Sequence, residues 1–390
     1  METLTPAQRV ATITIGLVLT ALVVIWVLPW AGDQIAARLP PTRTPTTIFA
    51  TPTPSPAATP TQTPGPTPTP TVALTPPPSA VLLEPVPYQV QAPDPCDLSP
   101  LGIVLTYWGY TDTHAIITPL ICPGELDTGA APEELGDYAR SRGLEAHVGV
   151  NGRADTLRQL LANGLPVIVP RWIANADGTG SRRYQAIRGY DQVAGTFTVH
   201  DLLAGPDVTV PYQDMEEGWQ AFNRQYILIY LPDHQDRVRA ILGDTWDEKT
   251  MWQGALEQAK RELRTGAQAA EAQAAFNWMN AGSALVALEE YDKAREAFDS
   301  AQQAGLPSRL LWYQFALYKC LLAGEDYEGL LALTQKAIDA GAAVEEIHFY
   351  RARAYVALNN AAQARAEYAR ALEIHPEWLP ARDGLNALPQ

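Results

Sequence analysis

The side chains best suited to covalent or metal chemistry in this 390-residue sequence are three thiols and six imidazoles. A cysteine acts as nucleophile or metal ligand only as its thiolate, so its neighbours decide what it does. Cys96, Cys122 and Cys320 form no CxxC pair, and no Cys/His group has zinc spacing. No metal and no cofactor is therefore expected. Cys96 and Cys122 are able to pair with each other if that region lies outside the cytoplasm. Cys320 sits in an apolar helical run and reads as a small buried hydrophobe. His200 adjoins Asp201 on a strand, where neighbours point to opposite faces. His147 falls in an earlier strand and His114 follows the first helix, and all three read as surface or packing residues.

The net charge is −15, with no run of Lys or Arg to neutralise phosphates, which argues against nucleic acid as a partner. The acidity itself reads as a solubility feature. Hydrophobic residues make up 47% of the chain, enough for sizeable cores, and the length suggests two folded units.

The elements that would position Cys96 can be read in outline. Residues 98–107 are apolar behind a Ser99-Pro100 helix start, and 132–142 and 154–163 have helical periodicity. Residues 166–169 form a short buried strand, and 184–190, 196–200 and 226–231 are β-like runs separated by turns. Helices first and an antiparallel sheet afterwards give an α+β class.

Within this frame the residues Gln91, Cys96 and Tyr107-Trp108-Gly109 are followed by Ile187-Arg188-Gly189-Tyr190-Asp191 and Thr198-Val199-His200-Asp201. That order and spacing resembles the C39-like, papain-fold cysteine peptidases. Residues 164–169 are similar to that family's central strand. The resemblance implies Cys96 as nucleophile, Gln91 as oxyanion donor and Asp201 as the group that orients a histidine. It also exposes two departures. The family's histidine position, eight residues before Asp191, is Arg183, and a guanidinium cannot serve as general base. The family's glycine after the nucleophile is Asp97, a carboxylate that disfavours a neighbouring thiolate and is expected to cap the following helix. The implied cleft lies between the Cys96 helix and the sheet, with Asp97 and Arg183 in it. Arg183 would favour an anionic or C-terminal peptide group.

The rest of the chain reads as modules. Residues 10–30 carry no charge, long enough for a bilayer core, with Trp26 and Trp30 near one end. We expect a retained transmembrane helix in an N-terminal segment 1–39, and residues 40–80 as a Pro/Thr-rich extended stalk. The stalk favours an extracytoplasmic place for a peptidase-like domain at 81–240. Residues 245–390 are Ala-rich, with self-similarity near a 34-residue period. Trp278, Gly282, Tyr291, Ala294, Phe298 and Ala301 mark a first copy and Ala352, Ala364, Tyr368, Ala371 and Pro376 a last one, with Gly282 to Ala294 and Ala352 to Ala364 sharing one spacing. Leu317, Tyr327, Ala337 and Gly341 form a weaker middle copy. This resembles an all-α tetratricopeptide superhelix of three repeats, whose concave face implies peptide or protein partners. The function expected is a membrane-anchored peptidase-like binding protein. An active cysteine peptidase with substrate-recruiting repeats and a surface scaffold are the alternatives.

Overall fold

The computed structural model describes residues 73–86, 88, 96–124, 129–175, 179–201, 204–265 and 271–389. The segment expected to span a membrane, most of the stalk and Gln91 lie outside the described residues. Among the described residues no helix is long and apolar enough to cross a membrane.

A seven-stranded antiparallel sheet organises the first folded region. Its strands are β1 (Ala80–Leu82), β2 (Glu145–Gly149), β3 (Val167–Ala174), β4 (Gly180–Asp191), β5 (Thr196–Asp201), β6 (Gly205–Pro211) and β7 (Tyr226–Tyr230). They run in the order β2-β7-β3-β4-β5-β6, with β1 added beside β4. β7 lies between two neighbours and is buried along its whole length, which is why it reads Tyr-Ile-Leu-Ile-Tyr without polar alternation. β4 is the longest strand and changes partners along its course. Residues 180–187 pair with β3, 186–191 with β5, and 189–191 with β1. Gly189 is required at that last contact, because a Cβ there would stand 2.5 Å from the Val81 carbonyl oxygen.

Helix α1 (Ser99–Tyr107) packs on β3 and β4 with Ser99 through Leu105 all buried, so it is a core helix without a polar face. Pro100 lies in its first turn, where a missing N–H costs nothing. Its far end is held by two side chains: Tyr107 donates to the Gly164 carbonyl at 3.0 Å, and Trp108 to the Ile229 carbonyl at 2.8 Å. Next come α2 (His114–Ile121), α3 (Pro132–Ser141) and α4 (Ala154–Ala162). Between β6 and β7 the chain forms α5 (Tyr212–Gln220). That helix is absent from the sequence reading, because Met215, Gly218 and Trp219 supply too sparse an apolar stripe to announce it.

Beyond the sheet the chain is helical: α6 (Gln235–Leu242), α7 (Glu248–Thr265), α8 (Glu271–Ala287), α9 (Tyr291–Gln303), α10 (Ala316–Ala323), α11 (Tyr327–Asp339), α12 (Glu345–Ala357), α13 (Ala361–Ile374) and α14 (Leu379–Asn386). Helices α8/α9, α10/α11 and α12/α13 are consecutive pairs joined by short turns. Each turn places its second residue in the left-handed region: Glu289 (φ 62°), Glu325 (φ 57°) and Asn359 (φ 57°). Ala294, Phe298, Ala301, Ala352, Ala364 and Ala371 are fully buried, and Tyr368 nearly so.

The helical region is bound to the sheet region through buried polar groups. The Gln220 amide donates to Asn277 at 2.7 Å, and Asn280 donates to the Gln220 carbonyl at 2.8 Å. Arg224 pairs with Glu262 of α7 and Glu216 of α5. At the other end Gly124 lies against the Ile374 carbonyl, leaving no room for a side chain.

A Cβ at Gly282 would stand 2.5 Å from the Phe298 ring. Gly282→Ala gains about 1 kcal/mol of helix propensity but overpacks the α8/α9 contact at about 1–3 kcal/mol, so overpacking decides the sign. Urea unfolding is expected to show a net loss of stability, partly recovered when Phe298→Leu is added. A stabilised Gly282→Ala protein would refute the close-approach assignment.

Candidate functional site

Cys96 lies in the turn ahead of α1, three residues before Ser99, and is 2% exposed. Its sulfur is bonded to that of Cys122, which closes α2. Of the two states left open for these cysteines, the described one is the disulfide. A disulfide sulfur has no thiolate to offer.

Asp97 adopts φ 49°, in the left-handed region, where glycine is favoured and aspartate tolerated. The backbone at this position explains why a glycine would serve there equally well. The expected capping role is not what the structure contains, since no side chain caps α1. Asp97 Oδ2 instead accepts the Tyr184 N–H at 2.8 Å. β5 leaves β4 after Ala186, so the carboxylate supplies an acceptor where a strand partner is missing. Burial raises the Asp97 carboxyl to about 7; the Tyr184 N–H opposes that rise and Asp201 adds to it. Arg183 and Arg182 also oppose it, which puts Asp97, Arg183 and Asp201 in one electrostatic neighbourhood.

The sheet sets the polar face beside that turn. Arg171 and Arg183 are directly paired across β3 and β4, and Gln185 lies two residues further along the same face. Arg171 donates to Gln185 Oε1 at 3.1 Å, and Gln185 donates to Asp201 Oδ2 at 2.7 Å. Asp201 Oδ1 accepts the Ala204 N–H at 2.7 Å. Asp201 is buried, and its carboxylate holds an amide and a backbone group where the resemblance implied an imidazole.

All six histidines are accounted for elsewhere. The His200 ring bonds the Val86 carbonyl at 2.8 Å on the face away from Asp201. His147 stacks on Trp246, and burial lowers it to about 4. His234 bonds Asp233, and His348 bonds Glu367. His114 opens α2, whose eight residues put it about 12 Å along the axis from Cys122. His375 belongs to another cluster, with Nδ1 3.2 Å from Glu345 and 3.6 Å from Glu134. Glu134, Glu345 and His375 are the residues of metal-ligating type brought together among the described residues, their candidate ligand atoms lying within 4.8 Å of one another. The pair Arg171 and Gln185 and this cluster were not legible in the sequence. Period-two spacing from Arg183 could have marked Gln185, but nothing local marks residues more than 200 positions apart.

Against known proteins, residues 83–227 match the Peptidase_C39 like family, a match to well under half of the chain. Among solved structures, the chain is similar to a protein described as a C39-like peptidase from Bacillus anthracis, at 19% identity and a TM-score of 0.32. That likeness covers 38% of this chain and 96% of the other. No curated protein matches. By the family match the chain carries a C39-like peptidase domain, with α1, β2 to β6 and the first two residues of β7 inside the matched segment.

The raised Asp97 carboxyl has a consequence for stability. Between pH about 4 and about 7 the folded state holds a proton that the unfolded state has released, so stability falls as pH rises, by up to about 1.4 kcal/mol per unit. Asp97→Asn keeps an acceptor for Tyr184 and removes the charge. Urea unfolding at pH 5 and pH 8 is expected to show a flatter profile for the variant; an unchanged slope would refute the assignment.

Proposed function

We propose that this chain is a membrane-anchored, extracytoplasmic C39 peptidase-like protein that no longer hydrolyses peptides. It binds peptide or protein partners through its cleft and through a C-terminal tetratricopeptide array. The observation that carries this reading is the Cys96–Cys122 bond, which occupies the sulfur at the nucleophile position. Arg183 at the histidine position supports it, because a guanidinium accepts no proton from a thiol and returns none to a leaving amine. Asp201 held by Gln185 supports it too. In the cleft, Arg183 would favour an anionic or C-terminal carboxylate group of a bound peptide.

The disulfide is consistent with an oxidising compartment, and the uncharged run 10–30 with the Pro/Thr stalk behind it is the basis for anchoring. The shared turn geometry at Glu289, Glu325 and Asn359 and the buried small residues between paired helices support the repeat reading. The domain limits proposed are 1–39, 40–80, 81–240 and 245–390. Contacts of Thr75 with Asn163, and of Pro78 with Tyr190, show the chain already packed on the sheet region before residue 81.

Cys96 labelling by iodoacetamide, read by peptide mass spectrometry, is expected only after reduction. Hydrolysis of a mixed peptide library is expected to stay at background with or without reductant. Cleavage that appears on reduction and disappears in Cys96→Ala would overturn the reading in favour of an active peptidase. Arg183→Ala is expected to weaken capture of peptides with a free C-terminus by about ten-fold, the size of one lost charge-assisted bond.

A further inference from the structure

A pocket of about 250 Å³ opens where the turn after α5 meets α7, α8 and the segment ahead of α10. Cys96, Arg183 and Asp201 take no part in its lining. Four aromatic side chains wall it: Phe222, Trp252, Tyr313 and Phe315. Phe222 and Tyr313 stand edge to face with ring centres 6.3 Å apart, and the Arg182 guanidinium covers Tyr313 at 4.7 Å. Glu133 is the charged residue of the lining, and Arg182 and Arg140 lie near enough to act on its carboxyl. With that acid countered by guanidinium groups, the pocket offers a ligand ring contact rather than charge.

Two polar groups of the lining lack a hydrogen-bond partner among the described residues: Asn223 Nδ2 and Ser283 Oγ. Both residues are more than nine-tenths buried, at 5% and 8% exposed. The Asn223 backbone is fixed at φ 54°, its N–H donating to the Gln220 carbonyl at 3.0 Å and its carbonyl accepting the Asn151 N–H at 2.8 Å. Buried donors of this kind are rare in folded proteins, and an acceptor brought by a ligand would satisfy them. The ligand so described is uncharged, carries a compact ring and presents a free carbonyl. Proline in an extended segment meets all three conditions. Polyproline II leaves its carbonyls without internal partners, and proline itself has no N–H to set against a donor. The space is smaller than a drug-sized ligand needs and suits a fragment of about two residues.

This chain carries such a segment. Residues 59–70 hold five prolines and no charge. Beyond it, Thr75 donates its N–H to Asn163 and Pro78 accepts from Tyr190, so the chain that follows the segment lies along the sheet region. As polyproline II, residues 59–74 would reach about 50 Å, against a radius of gyration of about 20 Å for a domain of about 300 residues. We propose that the pocket holds a Thr-Pro step of the chain's own stalk, drawn from residues 59–70. The proline ring packs among Phe222, Trp252, Tyr313 and Phe315, and the carbonyl before it accepts hydrogen bonds from Asn223 Nδ2 and Ser283 Oγ. The stalk is then a latch on the domain it carries as well as a spacer.

The test is fluorescence anisotropy with a fluorescein-labelled peptide of residues 59–70, on the full-length chain in detergent micelles. A second full-length chain has Pro60, Pro64, Pro66, Pro68 and Pro70 replaced by serine. A tethered segment competes at an effective concentration on the order of mM, so the serine-stalk chain is expected to bind the peptide at least about ten-fold more tightly than the native chain. A peptide with alanine at every proline is expected to bind at least about ten-fold more weakly. In the serine-stalk chain, Trp252→Ala and Ser283→Ala are each expected to raise Kd about five-fold or more. Ser283→Ala removes a buried hydroxyl that the described fold leaves unpaired, so its melting transition is expected to hold or rise while affinity falls. Equal binding to the two chains would overturn the stalk as occupant. No binding to the serine-stalk chain, or a Kd insensitive to both Trp252→Ala and Ser283→Ala, would overturn the pocket as its site.

Discussion

The bond between Cys96 and Cys122 joins the turn that opens α1 to the residue that closes α2, across 26 positions of sequence. Closing a loop of that size removes about 3–4 kcal/mol of chain entropy from the unfolded state on the chain-entropy account. It also holds the Cys96 turn against the sheet, so that Asp97 meets the free edge of β4 at Tyr184. A sulfur in a disulfide is not a thiolate, so in the described structure the Cys96 sulfur serves as a cross-link.

The polar groups beside that corner follow the same pattern. Arg171, Gln185 and Asp201 form a chain of side-chain hydrogen bonds across β3, β4 and β5. Buried polar atoms cost about 1–3 kcal/mol each when unpaired, so the buried Asp201 carboxylate needs a donor. Gln185 is that donor, each residue standing one position beyond the Ala186–His200 end of the β4–β5 ladder.

The helical region packs against the sheet region through Gln220, Asn277, Asn280 and the Arg224–Glu262 pair. These are buried polar contacts with defined geometry, so they fix orientation more strictly than an apolar contact of similar area would.

Much of the architecture was written in local pattern. The apolar run behind Ser99-Pro100, the β-like stretches and the recurrence of small residues and aromatics in the last third all correspond to observed elements. The identity of residue 183 as arginine is likewise a one-residue fact that needs no fold. Helix α5 escaped because its apolar stripe is thin, and the role of Asp97 because its partner is an N–H supplied by a strand 87 positions away. Local periodicity reports which face of an element is buried, but not what that face meets. Whether Cys96 and Cys122 are within bonding reach, whether Asp201 holds Gln185 or an imidazole, and whether Glu134 faces Glu345 and His375 depend on how distant elements pack. Sequence by itself determined the side-chain chemistry available to this protein. Only the tertiary structure decided which of those groups meet, because contacts between remote residues are set by the three-dimensional course of the chain and leave no trace in the spacing of neighbours.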